Sequence, residues 1–393
     1  MKHINNPAAF VLSLVILTLS ATSCDANFNS TYVESSKFAV QSNSGSVVAT
    51  GRMVAARAVH AATLLSSGKV LVTGGMERND VYTNSAELYD TATDTFAATG
   101  NMSQSRAGHC ATRLSDGKVL VAGGSNTEWL ASAEIYNPAT GAFTPTGNMS
   151  VRRGGFTATL LPSGKVLIVG GYNDILQASA EIYDPATERF TSTGSMSVGR
   201  SAHTATLLPN GKVLIAGGGA GRNVLASAEL YDPAAGKFTS ISNMTVVRHK
   251  HAAALLPNGN VLIIGGSDNR DWRGRYANAE IYNAASGNFV SAANMNTTRF
   301  KNRDAVVLLN NGTVFVAGGG EYAEIYNPIK NSFDKVSGRM EDARFYSTAT
   351  LLPDGKVLVI GGYDNNIVGS AKAWLYKPQT TTANLTNRWK RDA

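Results

Sequence analysis

A doublet of adjacent glycines recurs seven times along this 393-residue chain, at 74–75, 123–124, 170–171, 217–218, 265–266, 318–319 and 361–362. Successive doublets lie 43 to 53 residues apart, the period of a repeated supersecondary unit. A chain of this kind folds as copies of one unit that bury their faces against each other. The fourth copy reads MSVGRSAHTATLLPNGKVLIAGG, followed by LASAELYDPAAGKFTSISNM.

Each copy predicts four short strands. HTATLL alternates in polarity and stops at Pro-Asn-Gly, a turn signal. KVLIAGG is apolar on both faces, as a strand buried between layers requires. SAELYDP forms the third strand and ends at Asp-Pro; GKFTSIS forms the fourth. The turns PNG and DPAAG are short and nearly constant in length, which predicts antiparallel hairpins and a four-stranded sheet. A lone sheet cannot bury both faces, whereas radial stacking against its neighbours does so and leaves only short edges. The glycine pair then ends the second strand, where the backbone takes positive φ or the next sheet approaches closely. Tyr89, Tyr136, Tyr183, Tyr231, Tyr282, Tyr326 and Tyr376 on the third strand, and the Phe seven residues later in six copies, fill the gaps between sheets.

The paired glycines, the downstream Tyr and the following Phe resemble the kelch repeat across residues 45–378. The resemblance implies an all-β fold, a seven-bladed β-propeller of four-stranded antiparallel blades. The last copy lacks its fourth strand, with Ala383 where Phe belongs. Ahead of the first copy, SVVATGRM at 46–53 matches TFAATGNM at 95–102, with Val47 in the Phe position. Residues 45–53 are therefore expected to supply the outer strand of the last blade and remove its free edge.

At 43% hydrophobic residues the chain can build a sizeable core, and two cysteines exclude a disulfide scaffold. The run from Ala8 to Ser20 is too short to span a bilayer and reads as the apolar part of a signal peptide. Ala21, Thr22, Ser23 and Cys24 resemble a bacterial lipoprotein cleavage site, which implies lipidation of Cys24. The expected organisation is a lipoprotein-type signal peptide at 1–23, a flexible tether at 24–44, the propeller at 45–378 and a polar tail at 379–393. This places the protein in a bacterial cell envelope, periplasm or surface, held to the membrane by the lipid alone, or secreted if Cys24 is unmodified. Cys110 would then be a small buried apolar residue with no partner for an internal disulfide. A net charge of +7 without a nucleic-acid motif argues against a nucleic-acid partner, and the chain reads as a monomer.

The connections between first and second strands (AB) and between third and fourth (CD) are tight; those joining second to third (BC) and fourth to the next first strand (DA) share the other face. The BC loops vary most, and function is expected where loops vary on a rigid frame. The longest carries Arg270, Asp271, Trp272, Arg273, Arg275 and Tyr276. The next copy has an insertion, RFKNRD, holding Lys301 and Arg303. With Trp129, Tyr172 and Tyr363 from other BC loops, these make the candidate ligand-binding set. Arg recognises carboxylate or phosphate bidentately, and Trp and Tyr offer flat faces for stacking.

Other regular residues read as structural. Arg57, Arg106, Arg153, Arg200, Arg248, Arg299 and Arg344 recur four residues after Met, and Glu87, Glu134, Glu181, Glu229, Glu280 and Glu324 recur on the third strand. Buried charges persist when paired, so each Arg is expected to meet a Glu. In the last copy Trp374 replaces Glu, and Arg344 is expected to stack on it. His60, His109, His203 and His251 lie in separate copies, which argues against a shared metal ion.

Galactose oxidase is a kelch-propeller enzyme whose copper site needs two His, two Tyr and a Cys crosslinked to Tyr. No Tyr-His pair occurs in this sequence, so that carry-over fails and the likeness is one of fold. A sugar mutarotase would need an acid–base pair, and Asp268, Asp271, Glu321 and Asp364 single none out. The expectation is a binding module for a polysaccharide or protein through the BC/DA face, with no cofactor and no metal. The alternative is a carbohydrate-active enzyme, mutarotase- or oxidase-like, at the channel mouth.

Overall fold

The computed structural model describes residues 45–379. Seven four-stranded antiparallel sheets follow one another, each with its strands in the order A, B, C, D. In the first blade these are Ala61–Leu64, Val70–Thr73, Ala86–Asp90 and Thr95–Ala98. The A strands of the later blades begin at Cys110, Thr157, Thr204, Ala252, Val306 and Thr348. Each A strand touches the A strands of both neighbours, and the last touches the first, so the stack is a closed ring.

The final blade takes its outer strand from the other end of the chain. Ser46–Ala49 pairs antiparallel with Ala373–Lys377, placing Val47 opposite Tyr376. Beyond that strand, Thr50 and Met53 donate backbone N–H groups to the carbonyls of Ala373 and Ala371, at 3.0 and 2.9 Å. The N-terminal closure expected from the SVVATGRM match is thus present.

The core is distributed between blades. One apolar cluster, for example, joins Leu167 and Val169 of the third blade to Ala205, Leu207 and Ile215 of the fourth. In most blades the C-strand Tyr and D-strand Phe pack at ring centroid distances of 4.8 to 5.1 Å. The hydroxyls of Tyr136, Tyr183 and Tyr231 reach back to Thr99, Thr146 and Thr193 of the preceding blade at 2.8 to 3.0 Å, while those of Tyr89 and Tyr326 bond Asp94 and Asn331 in their own.

The glycine doublets sit where blades meet. The second glycine of each pair donates its N–H to the carbonyl of the next blade's repeat Arg, at 2.7 to 3.0 Å, and the last, Gly362, returns to Arg57. In every pair but the sixth the first glycine is pressed against that same carbonyl: a Cβ on Gly74 would lie 2.4 Å from Arg106 O. Gly74 and Gly75 both take positive φ, 58° and 100°. Close approach and left-handed backbone together require glycine here.

Two expectations are corrected. Cys110 is disulfide-bonded and is not the free thiol anticipated. Arg344 makes its ion pair with Asp342 at 3.3 Å rather than stacking on Trp374, which is buried in the core of the last blade. The signal peptide, the tether, Cys24 and nearly all of the C-terminal tail lie outside the described residues.

Candidate functional site

Six of the seven repeat arginines are structural clamps rather than free cations. Arg57 donates to Gly74 O (2.8 Å), to the carbonyl and hydroxyl of Ser85 (3.1 and 3.0 Å) and to Glu87 Oε1 (2.6 Å). Glu87 in turn accepts the N–H groups of Val54 and Ala55 at 2.6 and 3.0 Å. One buried pair thus ties together the ends of strands B and C and the incoming DA loop. The same pairing, within one blade, joins Arg106 to Glu134, Arg153 to Glu181, Arg200 to Glu229, Arg248 to Glu280 and Arg299 to Glu324 at 2.6 to 3.1 Å. The four periodic histidines each place Nε2 2.9 to 3.1 Å from a Thr hydroxyl: Thr348, Thr73, Thr157 and Thr204 in turn. Burial, reinforced by the neighbouring Arg charge, holds His60 down to about 3 and the other three well below the usual imidazole range.

Two residues after each repeat Arg the chain closes a second ring. Val59, Gly108, Gly155, Ala202, Lys250, Lys301 and Tyr346 each donate a backbone N–H to the carbonyl of the preceding member, at 2.7 to 3.4 Å, and Val59 donates to Tyr346. All seven have positive φ, between 52° and 63°. For six of the seven interfaces the donor and acceptor are nearly one repeat apart, so the ring encircles the propeller axis on the DA-loop face. Non-glycine residues held in this conformation are strained by roughly 1–2 kcal/mol each, and such strain persists only where the surroundings impose it. Around four blades the ring residues are small. Around the other three they are Lys250, Lys301 and Tyr346, and one side of the mouth is chemically distinct.

The long BC loop of the fifth blade folds onto that side. It includes a short 3₁₀ turn, Asp271–Arg273, the one helical element among the described residues. Asp271 Oδ1 accepts from Lys250 Nζ at 2.9 Å and lies 3.6 Å from His249 Nε2, and Asp271 Oδ2 is 4.0 Å from Lys301 Nζ. Burial alone would raise Asp271, but the Lys250 hydrogen bond and the charges of Lys250 and Lys301 hold it below the usual carboxylate range. Trp272 packs edge-on against Phe300 and Phe345 at 4.9 and 4.7 Å between centroids.

Lys301 is enclosed by these rings. Its Nζ lies 4.7 Å from the centroid of Trp272, 4.9 Å from Phe300, 5.5 Å from Tyr363 and 5.9 Å from Tyr346. Cation–π attraction favours the charged amine, while burial and the charge of Lys250 lower its pKa to about 8. It is therefore still a cation at neutral pH. Arg275 lies over both Trp272 and Phe300 at 5.8 Å and is exposed, and Trp272 is 39% exposed.

The candidate residues thus divide. Trp272, Arg275, Lys301 and Tyr363 converge at the mouth. Arg273 is exposed beside them. Arg270 is engaged by Asp268 at 2.6 Å, and Tyr276 lies 5.6 Å from Arg248, beneath the loop. Arg303 turns inward, donating to Phe156 O of the third blade at 3.1 Å and pairing with Asp304. Half-buried Trp129 and exposed Tyr172 form a separate aromatic pair, centroids 5.3 Å apart, with the Trp129 indole N–H donating to Asp174. Sequence reasoning missed Lys250 and Tyr346, and did not relate them to Lys301. Aligning the copies two residues beyond the repeat Arg yields Val, Gly, Gly, Ala, Lys, Lys, Tyr, and that break in the pattern was available.

The Kelch motif matches residues 106–150, 153–197 and 200–245, which cover the second to fourth units. No curated protein matches the chain. Among solved structures it is similar to a fungal alcohol oxidase of the AA5 family in complex with copper, at 18% identity and a TM-score of 0.68, covering 86% of this chain and 77% of that one. At that identity the likeness is one of fold. Among the described residues no three His, Cys, Asp or Glu side chains gather where they could hold a metal.

Proposed function

Because the chain is a kelch-repeat β-propeller, we propose that it is an exported binding module that recognises a polysaccharide through the BC/DA face. The observation that carries this reading is the meeting of Trp272, Arg275 and Lys301 at one side of the mouth, on the face where loops are long. An exposed indole face stacks on the apolar face of a sugar ring, and the surrounding N–H donors suit its hydroxyl and acid groups. The Trp129–Tyr172 pair supplies a further flat surface on the same kind of loop. A protein partner is the other occupant this face would suit.

The test is capture of glycans by the propeller and by a variant carrying Trp272→Ser and Arg275→Ala, with near-ultraviolet circular dichroism to verify folding. The expected result is binding by the parent and a loss of at least tenfold in the variant. Capture that survives both substitutions would reject this sector. Turnover of a bound sugar, with and without chelator, would favour the carbohydrate-active alternative.

A further inference from the structure

Within the proposed glycan-binding face, and resting on that reading, we propose that Lys301 forms a carboxylate-recognising subsite, so that the ligand is an acidic glycan built of uronate units. Lys301 is more than nine-tenths buried, yet no protein oxygen lies within hydrogen-bond distance of its Nζ; the nearest carboxylate, Asp271, is 4.0 Å away. Asp271 is committed to Lys250 and draws on Ser267 as well, at 3.3 Å. Its Nζ still meets solvent, so its N–H donors stay open to an acceptor that arrives from the mouth.

The surroundings narrow the choice of ligand. The cation is walled by Trp272, Phe300, Tyr346 and Tyr363, so the acceptor has to arrive on a body that tolerates aromatic walls. A pyranose with its carboxylate at one end does so, its apolar face against Trp272 and its acid group toward Lys301. A free phosphate or sulfate has no such face. The local charges are Lys250, Lys301 and Arg275 against Asp271, with His249 held neutral by burial down to about 4. Asp268 and Asp304 are held by Arg270 and Arg303, so an anion is attracted despite Asp271, the carboxylate nearest Lys301. This gives the proposal a sign that a purely structural lysine would not have: neutralising Asp271 should strengthen binding. Asn keeps an acceptor for Lys250 and tolerates the positive φ of 51° at this position.

The experiment measures binding of an oligogalacturonate, its fully methyl-esterified form and sulfated dextran by calorimetry to residues 24–393 with both cysteines retained. The expected results are binding of the free acid and at least tenfold weaker binding of the ester. Lys301→Met, which keeps the length and apolar stem, should lose at least tenfold for the acid; Asp271→Asn should gain several-fold; Arg270→Ala should stay within twofold. Equal binding of acid and ester that still depends on Trp272 would overturn the carboxylate subsite and leave the glycan-binding face standing. No binding of the acid overturns the subsite; no binding of any glycan removes the face as well. Equal capture of sulfated dextran, unmoved by Lys301→Met, would mean general charge attraction and also overturn it. If Lys301→Met fails to fold, the ester comparison and the sign of Asp271→Asn still decide.

Discussion

A buried arginine in this fold is worth most for what it leaves behind if removed. Arg200, with its guanidinium fully buried, holds the carbonyl of Gly217 and Glu229 at 2.8 and 3.0 Å. Arg200→Ala would strand a buried carboxylate, and breaking such a pair costs about 3–5 kcal/mol. Urea unfolding should show a loss of that size, whereas deleting the exposed ion pair of Lys165 with Asp184 should leave the midpoint almost unchanged. The histidines make a second prediction at this scale. Their pKa values are depressed in the folded state, so the unfolded chain binds more protons as pH falls. Their contribution is complete above about 6.5 and is lost progressively as pH drops toward about 3, the value to which burial brings His60. The denaturation midpoint should therefore fall steeply between pH 6 and 4. His203→Gln, which can still meet Thr157, should flatten that slope by roughly 1.4 kcal/mol per pH unit.

At the scale of the strand and the loop, the closing segment is the element most open to test. Without Ser46–Ala49 the last blade exposes the edge of Ala373–Lys377, and Tyr376 loses its neighbour Val47. A chain lacking residues 25–53 should melt on the order of 10 °C lower or more, and should aggregate through that edge. An unchanged melting curve would mean that closure does not depend on this strand. The elements are also where the sequence was most legible. Strands B and C, with runs such as KVLIAGG and SAELYDP, carry their burial in their composition, and the tight turns fix their pairing. The BC loops carry no such code. Loop length pointed to the fifth blade, but Arg270 and Arg303 look alike in sequence and fold to different ends, one onto Asp268 and the other into the ring's interior. Nothing local specifies that Trp272 should settle between Phe300 and Phe345, since each comes from a different blade. Lys250 was passed over because it lies in the short DA loop, and its importance arises only when neighbouring repeats meet.

For the molecule as a whole, two backbone rings divide the work. One runs from the glycine doublets to the repeat arginines and locks each blade to the next. The other encircles the axis at residues 59, 108, 155, 202, 250, 301 and 346. Because the second ring is joined entirely through main-chain atoms, its seven places act as interchangeable sockets around a fixed rim. Ala202 already holds the same backbone shape as Lys250, with φ of 52° and 54°. A propeller of this design can therefore be retuned toward a different guest by exchanging the tenant of a single socket, with the frame indifferent to the swap.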